Sequence, residues 1–207
     1  MHKLLGTTLA ATTIIGLGFT ASHAFANSQT ISNQNSADIT VNGTLGADNT
    51  DPESNIPEES DNWINVTVPT STIFYNTPTD RTIQSPTYQI VNNSGRPVSV
   101  TASGFTDKGT NPTLPTDFDL TLDVSGTATN PSATASTSLI SNGVLASPIS
   151  SHLTTLANKD GQMTNTGTKN TGDNVATFTY GGSSDTSNML SLSYNLNMTF
   201  EAVDWTK

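Results

Sequence analysis

The stretch that decides the fold is Leu190–Val203, which reads LSLSYNLNMTFEAV. Its apolar residues fall at every second position, and they are Leu190, Leu192, Tyr194, Leu196, Met198, Phe200 and Ala202. Because successive side chains of a β-strand point to opposite faces, this pattern predicts a strand with one apolar and one polar face. Such a strand buries its apolar face only against a second layer. The stretch therefore predicts a layered β fold.

Similar short stretches recur along the chain between clusters of Gly, Pro, Asn and Ser. We predict strands within residues 64–75, 88–90, 97–105, 117–124, 138–146, 175–180 and 188–203. Roughly eight to ten strands with almost no helix indicate an all-β antiparallel sandwich of Greek-key or jelly-roll type. One more strand is expected at Ala37–Leu45, before the main body.

Four local predictions accompany this fold class. The turn residues Asn92-Asn93-Ser94-Gly95 predict a hairpin between the strands on either side. Asn142-Gly143 predicts a second hairpin. Residues 126–138, rich in Thr, Ala and Ser, indicate a loop. In Pro148–Asn158, Ile149, Leu153 and Leu156 follow helical spacing, which predicts one short helix.

The composition divides the chain into three regions. Residues 1–26 have a basic start, an apolar run and an Ala-Phe-Ala ending, which predicts a signal peptide cleaved after Ala26 or, as an alternative, Ala24. Residues 27–61 hold the predicted first strand and a stretch rich in acidic residues and proline, which indicates an extended, exposed linker. Residues 62–207 form the predicted sandwich domain. We expect no membrane span once the signal is removed.

The charge and the cysteine content narrow the class of partner. The chain has 17 acidic and 7 basic residues and a net charge of −10. Such a surface repels nucleic acid and anionic membranes. The chain has no cysteine, which fits export from a Gram-positive bacterium and excludes thiol nucleophiles. We expect a secreted protein, extracellular or associated with the cell wall.

We find no pattern that predicts catalysis, a cofactor or a metal. His152 is the only histidine after residue 26, and no nucleophile motif accompanies it. Asp117, Asp119 and Asp123 share one face of a predicted strand, but they lack the spacing of a calcium loop. We therefore predict no catalytic residue, no cofactor and no metal site, and we expect that the protein is not an enzyme.

Aromatic residues are the remaining interaction candidates. Trp63 and Trp205, the only two tryptophans, bracket the predicted domain, and Tyr75 lies in its first strands. Two interpretations of the tryptophans are open: they cap the ends of the core, or they bind a ligand.

Three segments carry a resemblance to a known family. They are Trp63–Thr70, Ser85–Ser94 with Pro97–Val100, and Tyr194–Phe200. Together they resemble the small exported WxL-type cell-surface proteins of Firmicutes. Neither Trp63-Ile64-Asn65 nor Trp205-Thr206-Lys207 has the leucine of that motif. The ending Phe200–Trp205 is more faintly similar to the camelysin/TasA-like matrix proteins.

The resemblances imply two functions. WxL domains attach non-covalently to peptidoglycan, which implies a non-enzymatic surface protein that binds the cell wall or other surface proteins. Matrix proteins form extracellular fibres, which implies a self-assembling subunit. In that alternative, the predicted strand Ala37–Leu45 would add to a sheet edge of a neighbour.

Overall fold

The computed structural model describes residues 48–169, 171–185 and 188–205, which belong to the compact unit Thr44–Lys207. The predicted signal peptide and the predicted strand Ala37–Leu45 lie outside these ranges. The described residues form one 3-10 helix, Asp61–Trp63, and eleven strands. These are β1 (Val66–Thr67), β2 (Tyr75–Thr77), β3 (Asp80–Gln84), β4 (Tyr88–Asn92), β5 (Val98–Asp107), β6 (Asp119–Thr127), β7 (Asn130–Ser141), β8 (Val144–Leu145), β9 (Ser151–Leu156), β10 (Val175–Ser183) and β11 (Tyr194–Ala202). No helix in these ranges is long and apolar enough to cross a membrane.

The strands form two antiparallel sheets, which confirms the predicted all-β sandwich. The larger sheet has the order β1-β4-β10-β6-β7-β8, and β3 extends it at the end of β10 and pairs with β2. The smaller sheet has the order β11-β5-β9. From β4 onward the chain crosses repeatedly between the two sheets, so strands adjacent in sequence often lie in different layers.

The core lies between the inner faces of the two sheets. Leu120, Leu122 and Val124 of β6 are fully buried, as the alternation of that stretch predicts. They pack with the inner residues of β5 and β9, which are Val98, Val100, Ala102, Leu153 and Leu156. Burying each large aliphatic side chain contributes about 1.5–3 kcal/mol. This contact holds the two layers together.

The predicted hairpin between β4 and β5 is wrong, because these strands lie in opposite sheets. The turn between them is buried. The Asn92 side-chain amide donates to the carbonyl oxygens of Arg96 at 2.8 Å and Ala157 at 2.7 Å. These bonds give hydrogen-bond partners to backbone carbonyl groups that are buried in the interior. Asn92–Gly95 therefore forms a crossover between the layers.

The predicted helix over Pro148–Asn158 is also wrong, because Ser151–Leu156 is strand β9. Opposite β5, the register skips Leu153: Val100 pairs with Thr154 and Thr101 pairs with His152. This bulge buries two consecutive residues, Leu153 and Thr154. Leu153 and Leu156 can thus both face inward at a spacing of three, which imitates a helical period.

The hairpin predicted at Asn142-Gly143 is confirmed, with β7 paired to β8 across it. Both turn residues have positive φ, 51° and 73°, as the tightest hairpin turns require. The loop predicted over residues 126–138 is wrong, since β7 begins at Asn130. That part of β7 has few buried residues, so it lacks the apolar alternation that marks a strand.

The prediction of an extended, exposed linker is corrected for residues 48–61. Ile56 is buried, and the backbone amide of Gly95 donates to the carbonyl oxygen of Asn49 at 2.6 Å. A side chain at Gly95 would lie 3.0 Å from the backbone of Asp51. The acidic segment is therefore packed against the crossover between β4 and β5.

Candidate functional site

The two sheets close tightly on one side and leave a gap on the other. Near β9, the amide of Ala128 donates to the carbonyl oxygen of Thr155 at 2.8 Å, and the Thr154 hydroxyl donates to that of Gly126 at 2.7 Å. On the opposite side lies β11, with no strand on its outer edge among the described residues. Its inward residues are only half-buried, whereas Val98, Val100 and Ala102 of β5 are fully buried.

This gap is a groove of about 960 Å³, which we call the open groove. One wall is the inner face of β11, and the other comprises residues 68–76 with parts of β3 and β10. Aromatic rings line its interior. Phe105 and Tyr194 stack with centroids 4.6 Å apart, and Phe74 lies 5.8 Å from Tyr180. The groove therefore offers a mixed surface, in which aromatic rings from both sheets stand beside uncharged polar side chains.

Most of the large exposed hydrophobic side chains of the described residues lie at the rim of the open groove. The large exposed hydrophobic residues in the described ranges are Val68, Ile73, Tyr75, Val144 and Met189. All except Val144 line the groove. Met189 is 96% exposed and Ile73 is 58% exposed. A concentration of this kind is typical of an interaction surface.

The polar groups that line the open groove are mostly uncharged Ser, Thr and Asn side chains. The hydroxyls of Ser184 and Tyr194 are buried without a hydrogen-bond partner. Burial raises the pKa of Tyr194 to about 12, and the nearby charge of Asp107 adds to the effect. Lys108 is the only charged residue among the described lining residues. The groove is thus nearly neutral, although the protein is acidic.

A second constellation lies at the other end of β11, and we call it the arginine clamp: Glu58, Trp63, Arg96 and Trp205. The Arg96 guanidinium lies 4.0 Å from the ring centroid of Trp63 and 4.7 Å from that of Trp205. It donates to the Glu58 carboxylate at 2.6 and 3.0 Å. The clamp joins residues 48–63 to the C-terminal end of the sandwich.

The electrostatics of the clamp are those of a structural ion pair. The hydrogen bond from Arg96 holds the pKa of Glu58 below its usual range, and the amide of Trp205 adds a weaker bond. The carbonyl oxygen of Pro52 accepts a further hydrogen bond from Arg96 at 2.8 Å. The Arg96 guanidinium lies over two indole rings, and its N–H groups donate to carboxylate and carbonyl oxygens. Arg96 therefore has a structural role.

The structure separates the three predicted interaction residues. Trp63 and Trp205 meet at Arg96, and they are 0% and 5% exposed. They are therefore too deeply buried to serve as ligand platforms, and they pack around Arg96 outside the hydrophobic core cluster. Tyr75 instead lies on β2 at the groove rim, 54% exposed. The sequence analysis did not single out Arg96. The one feature that could have indicated a structural role is its position between Gly95 and Pro97, in a chain with few basic residues.

The acidic and histidine candidates have structural partners. Asp119 accepts from the amide of Asn142 at 2.8 Å, and Asp123 accepts from the hydroxyls of Thr121 and Ser136. His152 Nε2 lies 3.0 Å from the Thr155 hydroxyl. Over the described ranges, no group of three His, Asp or Glu residues is placed to hold a metal ion.

No family model, curated protein or solved structure matches the chain. The open groove and the arginine clamp therefore have to be interpreted from their own geometry.

Proposed function

We propose that the chain is a non-enzymatic secreted bacterial protein of the cell surface. It associates non-covalently with cell-wall peptidoglycan or with other surface proteins, and the open groove is the surface through which it does so. The observation that carries this proposal is the concentration of exposed apolar residues around the groove. The resemblance to WxL-type proteins supports the location, and the acidic charge disfavours nucleic acid and anionic lipid as partners.

The groove has the character of a protein-binding surface. It combines aromatic walls, exposed aliphatic tips and very little charge, which is the composition of the centre of a protein interface. Sugar chains of the wall are contacted through exposed aromatic faces, and Tyr75 is the groove residue able to provide one. A surface protein is therefore the partner that the lining favours, and wall glycan is the second.

Retention on isolated cell walls tests the proposal. The chain from Asn27 onward is mixed with cell walls that retain their surface proteins and, separately, with purified peptidoglycan. The double variant Ile73→Ser/Tyr75→Ser removes the exposed tips of the groove. Val144→Ser is the matched control, because Val144 is 68% exposed and lies away from the groove.

We expect the native chain and the control to be retained, and the groove variant to lose most of its binding. Retention on complete walls alone identifies a surface protein as the partner, whereas retention on peptidoglycan identifies the glycan. No retention of the native chain on either material would contradict the proposal. Equal retention of all variants would exclude the groove.

The alternative function is a fibre subunit of an extracellular matrix. Its support is the outer edge of β11, which has no partner strand in the described ranges and borders an apolar groove. The predicted strand Ala37–Leu45 of a neighbour is a fitting donor, because it alternates and carries Ile39 and Val41. Deleting residues 27–45 should then abolish multimers in light scattering. Multimers that survive the deletion would exclude strand donation.

A further inference from the structure

We infer that β11 pairs in antiparallel fashion with β11 of a second copy, around a two-fold axis at Met198. The pairing joins two three-stranded sheets into one of six strands, in the order β9-β5-β11-β11-β5-β9. This inference deepens the proposed surface role by naming one partner, a second copy of this chain.

Within the described ranges, the edge of β11 lacks the devices that protect sheet edges. It is nine residues long and contains no Pro, Lys or Arg. The only irregularity in its pairing with β5 places the extra residue, Ser103, on β5, so β11 itself continues without a bulge. Half of the backbone amides and carbonyls of an edge strand point away from its sheet. A long, regular, unprotected edge is a template for another strand.

The sequence of β11 is complementary to itself in this register. With Met198 opposite Met198, Leu196 faces Phe200 of the second copy on the inner side. On the outer side, Asn197 faces Thr199 and Asn195 faces Glu201. Every apolar residue thus meets an apolar residue, and no like charges are opposed. A shift by one residue would place inner residues opposite outer ones, and a shift by two would leave end residues of β11 unpaired, whereas this register pairs all nine.

Charge also permits the contact. The chain as a whole is strongly acidic, so two copies repel at long range. However, Glu201 is the only ionisable acid on β11, and Lys108 is the only charged residue among the described lining residues of the groove. Most of the repelling charges therefore lie away from the centre of the contact, where salt screens them, and Asp107 lies beside Tyr194 at its end.

The pairing also accounts for the open groove. The inner face of β11 forms one wall, with Leu196, Met198 and Phe200 only half-buried. In the paired sheet, the inner face of the second β11 continues this wall past the edge. It brings further apolar side chains towards the exposed rim residues of the first copy. A two-fold contact of this kind extends the wall of both grooves at once.

Charge exchange at the central pair tests the inference. In the double variant Asn197→Lys/Thr199→Lys, lysines face each other twice across the axis. In Asn197→Lys/Thr199→Glu, a lysine faces a glutamate twice. The control Ser103→Lys/Thr106→Lys adds the same charge to exposed positions of β5, one strand away from the edge. All are made in the chain from Asn27 onward, and circular dichroism confirms that each folds.

We expect a dimer for the native chain and the control by sedimentation analysis over a range of protein concentrations. The double-lysine variant should dimerise at least about tenfold more weakly, and the lysine–glutamate variant should dimerise as well as the native chain. Deleting residues 27–45 should leave the dimer intact, which separates this contact from donation of the N-terminal strand.

A native chain that stays monomeric would overturn the inference, as would a dimer unaffected by the double lysine. Equal weakening by both charge variants would exclude the register around Met198. The wall-retention experiment, repeated with the monomeric double-lysine variant, reports on the proposed function independently.

Discussion

At the scale of single residues, Arg96 joins the acidic segment to the C-terminal end of the sandwich. It is 5% exposed, stacked between two indoles and bonded to Glu58, Pro52 and Gly95. A buried guanidinium of this kind is hard to replace, because a lysine has neither the planar face nor the fork of donors.

We predict that Arg96→Lys lowers the free energy of unfolding by about 2–4 kcal/mol, since a lysine at this buried position loses the planar contact with two indoles and the bidentate bonds to the partly exposed Glu58 carboxylate. Urea denaturation followed by circular dichroism measures this. Arg81→Lys is the matched control, because Arg81 forms an exposed ion pair with Asp185 and should change stability by less than about 0.5 kcal/mol. Equal effects of the two changes would show that the clamp is unimportant.

Acid should weaken the clamp through Glu58. Its pKa is lowered from 4.5 in the folded protein, so its carboxylate stabilises the fold above about pH 4.5. That contribution is lost as the pH falls through the lower, folded-state pKa. We therefore predict that Glu58→Gln is less stable than the native chain at pH 7, and that the difference shrinks below pH 4.5. A difference independent of pH in urea denaturation would contradict this.

The sequence predicted part of the clamp but not its centre. Two tryptophans bracket the predicted domain, and the structure buries both of them against Arg96. Arg96 was missed because nothing in its immediate sequence indicates burial. Its environment is assembled by contacts with residues 38 and 109 positions away, Glu58 and Trp205. Contacts of that range leave no local pattern.

At the scale of elements, the sequence predicts a tight turn correctly, but it does not predict which strands pair with each other. The Asn142-Gly143 turn was predicted because its backbone conformation restricts the residues that fit. The partner of β4 was not, because the buried bonds of Asn92 lie with Ala157, 65 positions away. Likewise, the bulge at Leu153 gave a strand the spacing of a helix.

We predict that Gly143→Ala destabilises the fold by about 2 kcal/mol or more. Gly143 has a φ of 73°, and a methyl group there would collide with the carbonyl oxygen of Pro115. Asn142→Gly, at the neighbouring turn position, should change stability by less than about 1 kcal/mol, since glycine also tolerates positive φ. Thermal denaturation of the two variants checks this, and a harmless Gly143→Ala would mean that the turn can relax.

At the scale of the whole molecule, the two sheets pack closely near β9 and leave the open groove at β11. Alternation in Leu190–Val203 predicted a strand with one apolar face, and Tyr194–Ala202 has it. The pattern could not show that this face is only half-covered, since alternation reports the direction of side chains and not the extent of the opposing layer. Among the described strands, the smaller sheet ends at β11, and the open groove lies along that side.

We predict that the dimer through β11 strengthens with salt. Two copies with a net charge of −10 each repel, and raising the ionic strength from about 0.01 to 0.15 M shortens the screening length from about 30 to about 8 Å. The dissociation constant from sedimentation should fall by roughly two- to tenfold. A contact that weakened with salt would instead be ionic, and β11 could not supply it.

The arginine clamp has a practical consequence for spectroscopy. The chain has only two tryptophans, and both rings lie against the same guanidinium. Intrinsic tryptophan fluorescence therefore reports on one place in the molecule, where the acidic segment and the C-terminal end of β11 meet. If the tryptophan emission changes before the far-ultraviolet circular dichroism signal is lost, this junction opens before the sheets unfold.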